Sequence, residues 1–292
     1  MNSTDIIYRA TACGEQFRIF AVDSTKTVQT TRDLHDLSPL ATVMIGRLIS
    51  ATAMMGIELK SPKSNVSINL NCDGPLHGAI VVYEHGGFIR AYAKNPSLFF
   101  DEVADNYLLA KHIGTGTLTI IRDIGTGTPF NGISEIVSGE IGEDIANYYL
   151  QSEQIPTAVS LGVLFDNNAK VRASGGYIIQ QMPHADPKLA DQIIDNINKT
   201  PHITDLMDMG YSIIDILDKF VLKDLDWNVT KEQSIEFRCN CSKDRFEKAL
   251  ITLGYAELNE MKEGISPVCS YCNQEYKFDT ADMEHLLSLF ES

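Results

Sequence analysis

Positive charge is scarce in this chain of 292 residues: 24 Lys and Arg stand against 39 Asp and Glu, a formal net charge of −15 at pH 7. A surface that acidic repels nucleic acid and anionic lipid, so neither is expected as a partner. The opening MNSTDIIYRATACGEQF lacks a basic segment followed by an apolar one, so secretion is not expected and the cytoplasm is the expected compartment. Long apolar runs are also rare. The stretch from Pro39 to Ile57 could span a bilayer, but Arg47 at its centre would cost about 2.5–3.5 kcal/mol there. Ser38, Pro39 and Gly56 read instead as N-cap, first-turn proline and C-cap of a helix buried in a soluble domain. A phosphate-binding loop is missing too. The steps Gly114–Gly116 and Gly125–Gly127 do not complete G-x-G-x-x-G and no Lys-Ser/Thr follows, which leaves them as turns. The seven histidines form no H-E-x-x-H pair, and no catalytic residue is expected.

What is present reads as an α+β protein in three parts. Residues 1–182 form a mixed α/β core domain. Val66, Ile68, Leu70 and Cys72 alternate with polar residues as in a half-buried strand. A hairpin follows over Ala79–Glu84 and Phe88–Tyr92, with a Gly86-Gly87 turn. Further strands are expected at Leu118–Ile121, Val159–Phe165 and from Val171, and helices at Leu40–Met55 and Glu140–Leu150. Strands and helices do not alternate strictly, which argues against a doubly wound parallel sheet. Residues 183–231 form an amphipathic helical linker: Leu189, Ile193 and Ile197, then Ile213, Leu217 and Phe220, recur at helical spacing. Residues 232–292 form a small third part with two apolar helical faces, Phe246, Ala249, Leu250 and Leu253, and Met283, Leu286, Leu287 and Phe290. So short a segment buries a limited core and often needs a staple.

Four of the six cysteines lie there. Cys239 and Cys241 form a C-x-C pair, and 27 residues later Cys269 and Cys272 form a C-x-x-C knuckle. Four thiolates complete a tetrahedral Zn²⁺ site and leave no position for a reactive water, so one non-hydrolytic zinc per chain is expected in the reduced form. A nucleic-acid-binding finger should be basic. Here 6 Lys/Arg stand against 12 Asp/Glu from Glu232 onward. On spacing alone a purely structural zinc is the plainer reading. The same site can also act as a switch, because metal holds sulfur in its oxidisable form and metal binding is folding energy in so small a unit. Each close pair could form a local disulfide, Cys239–Cys241 and Cys269–Cys272, although four cysteines permit three connectivities. Loss of the zinc domain would then free the apolar stripes of the linker to hold unfolded proteins. Cys13 and Cys72 have no visible partner and are assigned to packing.

The arrangement CNC…VCSYC resembles that of the heat-shock 33-kilodalton redox-regulated chaperonin family. So do GTGTLTIIRD (114–123), GEIGEDIANYYLQSEQIPTAVSLGV (139–163), ASGGYIIQQMP (173–183) and YCNQEYKF (271–278), in the family's order over nearly the whole chain. The resemblance implies a holdase that works without ATP. It would be inactive while reduced and zinc-bound; once oxidised it would lose zinc, unfold its linker, dimerise and bind unfolding clients. Cys239, Cys241, Cys269 and Cys272 would then be ligands and redox sensors together. The alternatives are an enzyme or a constitutive adaptor with a structural zinc.

Overall fold

Period-2 alternation in Phe17–Asp23 sends Phe17, Ile19 and Ala21 to one face of a sheet and Phe20 and Val22 to the other, and both faces are covered. The structure, a computed structural model, describes residues 4–98 and 109–290. It divides into two units, Met1–Phe237 and Arg238–Ser292.

Among the described residues the first unit has ten strands: β1 (Asp5–Ala12), β2 (Phe17–Asp23), β3 (Asn65–Cys72), β4 (Gly78–Glu84), β5 (Phe88–Ala93), β6 (Gly116–Asp123), β7 (Phe130–Glu135), β8 (Thr157–Phe165), β9 (Val171–Gln181) and β10 (Trp227–Phe237). Their order in the sheet is β7-β6-β3-β4-β5-β10-β1-β2-β9-β8. All neighbours are antiparallel except β10 and β5, which pair in parallel through Glu236–Phe88 and Phe237–Ile89 alone. The expected 79–92 hairpin is present as β4 and β5.

One face of the sheet covers α1 (Thr25–His35) and α2 (Pro39–Gly56). α2 is long and apolar enough to cross a membrane, with mean hydropathy 1.3, but 89% of it is buried inside the fold. Ser38 caps it by accepting from the Ala41 N–H at 3.2 Å. Arg47, the charge in its middle, donates to the Glu140 carboxylate at 2.6 Å. Gly56 is not the C-cap; Ile57 is. Gly56 lies in the last turn because Tyr83 packs on it, and a Cβ there would meet the ring at 2.2 Å. The short helices α3 (Ala110–Ile113) and α4 (Gly142–Tyr148) follow, α4 running on into a π-helical turn, Tyr149–Glu153.

The opposite face carries α5 (Pro187–Lys199), α6 (Ile203–Asp208), α7 (Ile213–Ile216) and a second π-helical turn, Leu217–Val221. Ile193, Ile213 and Leu217 are 3%, 3% and 0% exposed, in a core shared with Phe17, Ile19, Tyr177 and Ile179. Leu189, Ile197 and Phe220 pack half-buried at its margin. Segment 183–231 is therefore no free-standing connector: its apolar stripes are seated on the sheet. β10 also crosses the expected boundary at residue 232. It pairs with β1 from Trp227 to Ile235, so the first unit extends to Phe237.

Candidate metal centre

The second unit contains α7's successors α8 (Lys243–Ile251), α9 (Tyr255–Glu260) and α10 (Thr280–Ser288) around a small core of Leu250, Leu258, Phe278, Met283 and Leu286. Ser242 caps α8 and Asp279 caps α10, the latter in a reciprocal capping box with Asp282. Lys243 joins the two helices by its 2.7 Å ion pair with Asp282. The face expected over Phe246–Leu253 is narrower than its pattern: Leu250 is buried, but Ala249 is exposed and Leu253 is 45% exposed.

The four clustered cysteines meet in this unit. Cys239 and Cys241 lie on the irregular chain between β10 and α8. Cys269 and Cys272 occupy a tight turn bracketed by the bridges Val268–Glu275 and Ile265–Phe278. The Cys269 carbonyl accepts from the Asn273 N–H at 2.8 Å, and the Cys269 N–H donates to the Gln274 carbonyl at 2.9 Å. Asn273 takes φ +56°, a left-handed conformation that Asn tolerates better than most residues. The four Sγ atoms all lie within 4.8 Å of one another. Cys239 and Cys269 are 3.8 Å apart, and Cys241 and Cys272 are 3.3 Å apart. A tetrahedron of about 2.3 Å Zn–S bonds has sulfur–sulfur edges of about 3.8 Å, so the cluster fits a four-thiolate zinc in both size and donor chemistry. All six cysteines are free. Close gaps run across the two sequence pairs, and all four sulfurs lie within 4.8 Å of one another, so proximity does not choose a disulfide pairing.

Electrostatics separates the sulfurs. Burial pushes the Cys239 thiol up to about 11 and also raises that of Cys272. Burial acts the same way on Cys241, but hydrogen bonds from Tyr276 and the neighbouring sulfurs outweigh it and lower its pKa. The Tyr276 hydroxyl donates to the Cys241 Sγ at 3.1 Å and is itself pushed up to about 12 by that bond. Sequence reasoning did not single out Tyr276. It lies in the quoted YCNQEYKF segment, but only the turn at Cys272 folds it back onto Cys241. Cys72 lies in the core at 8% exposure and Cys13 is half-buried in the turn between β1 and β2; burial raises the pKa of both. His285 is exposed.

Comparison with known proteins gives the chain its relatives. The profile of the Hsp33 protein family matches residues 5–279. A 33 kDa chaperonin of Alkaliphilus metalliredigens is 37% identical, covering 96% of this chain and 98% of its own length. One from Clostridium acetobutylicum is 37% identical with 99% of each chain covered. Among solved structures, the 33 kDa chaperonin (heat shock protein 33 homolog) of Thermotoga maritima superposes with a TM-score of 0.86 at 29% identity, over 99% of both chains. The chain therefore belongs to the Hsp33 family, whose members are holdase chaperones and not enzymes.

Proposed function

We propose that this protein is a cytoplasmic, ATP-independent holdase, held inactive while its four clustered cysteines are reduced and bind zinc, and activated by their oxidation. The observation that carries this reading is the gathering of four sulfurs within 4.8 Å in a unit whose buried core is five side chains. So small a core leaves the unit dependent on a staple. Bound by Cys239, Cys241, Cys269 and Cys272, a zinc ion would supply that staple and keep the sulfurs as thiolates without redox chemistry of its own.

Formation of Cys239–Cys241 and Cys269–Cys272 disulfides takes four electrons from sulfur and leaves no thiolate to hold a metal. The second unit then loses its staple. That loss reaches the helical segment through β10, which runs from Trp227 to Phe237, two residues before Cys239. Ile193, Ile213 and Leu217, with Leu189, Ile197 and Phe220 beside them, are the apolar surface then offered to unfolding proteins. Oxidised chains associate as homodimers. The net charge of −15 disfavours nucleic acid and anionic membrane as partners.

The test follows zinc with a chromophoric chelator during peroxide treatment at raised temperature, alongside suppression of the aggregation of an unrelated unfolding protein. The reading expects about one zinc per chain, as one four-thiolate site requires, released in step with the gain of protection. Zinc that stays bound, or that leaves with no gain in protection, would return the site to a structural role. Equal client binding by the reduced and oxidised forms would mark a constitutive adaptor.

A further inference from the structure

We propose that the outer edge of β7 is a docking site for an extended polypeptide segment of apolar and basic residues, which lies along it as a further strand. This deepens the holdase reading by naming a class of client segment, and it rests on that reading for its biological meaning. β7 ends the sheet: it pairs with β6 on one side, and among the described residues no strand pairs with it on the other. Such an edge offers a row of main-chain N–H and C=O groups to any strand that reaches it. Proteins commonly blunt their edges with lysine or proline. The strand reads FNGISE and has neither. It presents instead Phe130 at 65% and Ile133 at 64% exposure, with Ile124 before it and Val137 after it also exposed.

Beside the strand opens a hollow of about 580 Å³, lined by Phe130, Gly132, Ile133, Tyr148 and Glu153 among others. Its shape has a local cause. The Tyr148 ring lies 2.5 Å from where a Cβ on Gly132 would be, so the middle of the strand is bare and its main chain forms part of the wall. The π-helical turn brings Glu153 to the same wall. Its Oε1 accepts from the Tyr148 hydroxyl at 3.1 Å and from the Arg122 guanidinium at 2.9 Å. Its Oε2 has no partner among the described residues and is left to accept from a lysine or arginine that enters the hollow.

Charge selects the occupant. From Arg122 to Gln154 there are six acidic residues and one basic, and that one, Arg122, is already paired with Glu153. Glu135 lies exposed on the strand itself. A second copy of this chain would set those carboxylates against their own kind, and like charges directly opposite one another destabilise a strand pair. A segment that alternates apolar and basic residues satisfies the edge in both respects. Its apolar side chains cover Phe130 or Ile133, and its basic ones reach Glu135 or Glu153. The same field turns an acidic segment away.

The probe is a short fluorescein-labelled peptide that alternates valine and lysine, with a glutamate-for-lysine version as control. Each is titrated by fluorescence anisotropy into full-length, reduced, zinc-loaded protein at low salt. The proposal expects the lysine peptide to bind, more weakly as salt rises, and the glutamate peptide not to bind. Hydrogen exchange should slow over 130–135 and stay unchanged in β8, at the opposite edge of the sheet. Ile133→Lys should weaken binding about tenfold, as expected when one aliphatic contact is lost. Val229→Lys, which adds the same charge at an exposed apolar position of β10, should bind as wild type does. Absence of binding, equal binding of the glutamate peptide, protection that falls elsewhere, or equal weakening in Val229→Lys would each overturn the proposal. So would a reduced wild-type dimer that Ile133→Lys dissociates, since the edge would then serve self-association. Protection of clients after oxidation is measured separately. Peptide binding at β7 in a protein that never becomes a holdase would sink the redox reading and keep the docking site, and an active holdase with a bare β7 would do the reverse.

Discussion

The side-chain amide of Asn196 donates to the main-chain carbonyl of Lys223 at 3.1 Å, reaching from α5 to the chain just past the second π-helical turn. A second contact, to the Val221 carbonyl at 3.3 Å, comes from the same nitrogen. One amide thus fastens the first helix of segment 183–231 to its last turn. Replacing it with Leu leaves two carbonyls without this donor and should cost about 1–3 kcal/mol. Amide hydrogen exchange over 187–221 should quicken in Asn196→Leu while exchange in β3 and β4 stays as in wild type. Uniform quickening across the first unit would contradict a local fastening.

Leu217 is fully buried at the heart of the same layer. Leu217→Ala should destabilise the fold by about 2–5 kcal/mol, the range for large-to-small changes in a core. If this layer is the client surface, the variant should also bind an apolar dye and protect clients before any oxidant is added. Chemical denaturation checks the first outcome. A dye titration of the reduced protein checks the second, and a destabilised variant that remains dark and inactive would separate this layer from client binding.

Asp5 gives the first unit a pH dependence. Its carboxylate is 4% exposed and accepts from the N–H groups of Lys26 at 3.1 Å and Thr27 at 2.6 Å, at the start of α1. Burial outweighs those bonds and pushes its pKa up to about 6. A carboxyl raised in the folded state above its unfolded value near 3.8 favours folding most when protonated. Its contribution is full below about pH 3.8 and is lost as pH rises through about 6. Between pH 7 and pH 4.5, wild type should gain about 2 kcal/mol relative to Asp5→Asn, which cannot titrate. Denaturant titrations of both proteins at the two pH values measure this, and a constant difference would refute it.

Cys13 and Cys72 should be spectators. Burial raises the pKa of both thiols, which keeps them in the unreactive protonated form at neutral pH. Replacing both with Ala should leave peroxide-driven zinc release unchanged, whereas Cys269→Ser should abolish stoichiometric zinc binding. Metal analysis of the purified variants decides both outcomes.

The legible parts of the chain were those whose signals are local. α2 announced itself by Ser38, Pro39 and an apolar run, and the 79–92 hairpin by its glycine turn. The four cysteines announced themselves by spacing. β1 and β2 went unread because they are buried on both faces: Ile7 serves one core while Ala10 and Ala12 serve the other, which blurs the alternation expected of a half-exposed strand. α1 was obscure for a different reason. Its buried face includes Thr27 and Thr31, poor helix formers, and its first N–H groups are met by Asp5 from β1. β10 is mostly polar and exposed, with Ile235 buried, and its strand state comes from β1, more than two hundred residues earlier. No local pattern could place a domain boundary beyond it. Gly56 misled because close approach to Tyr83 requires a glycine as firmly as a cap does.

The ten strands are two antiparallel ribbons, each complete in itself, sewn together by two stitches. Along the rest of the sheet neighbouring strands share six or more residue pairs, whereas β10 and β5 share Glu236–Phe88 and Phe237–Ile89. Those stitches lie at the very end of β10, and Arg238 is the only residue between them and Cys239. A tug on the first cysteine would fall on the weakest stitching in the sheet before it reached any other strand. The seam of the large unit is, in effect, the hem to which the small one is tied.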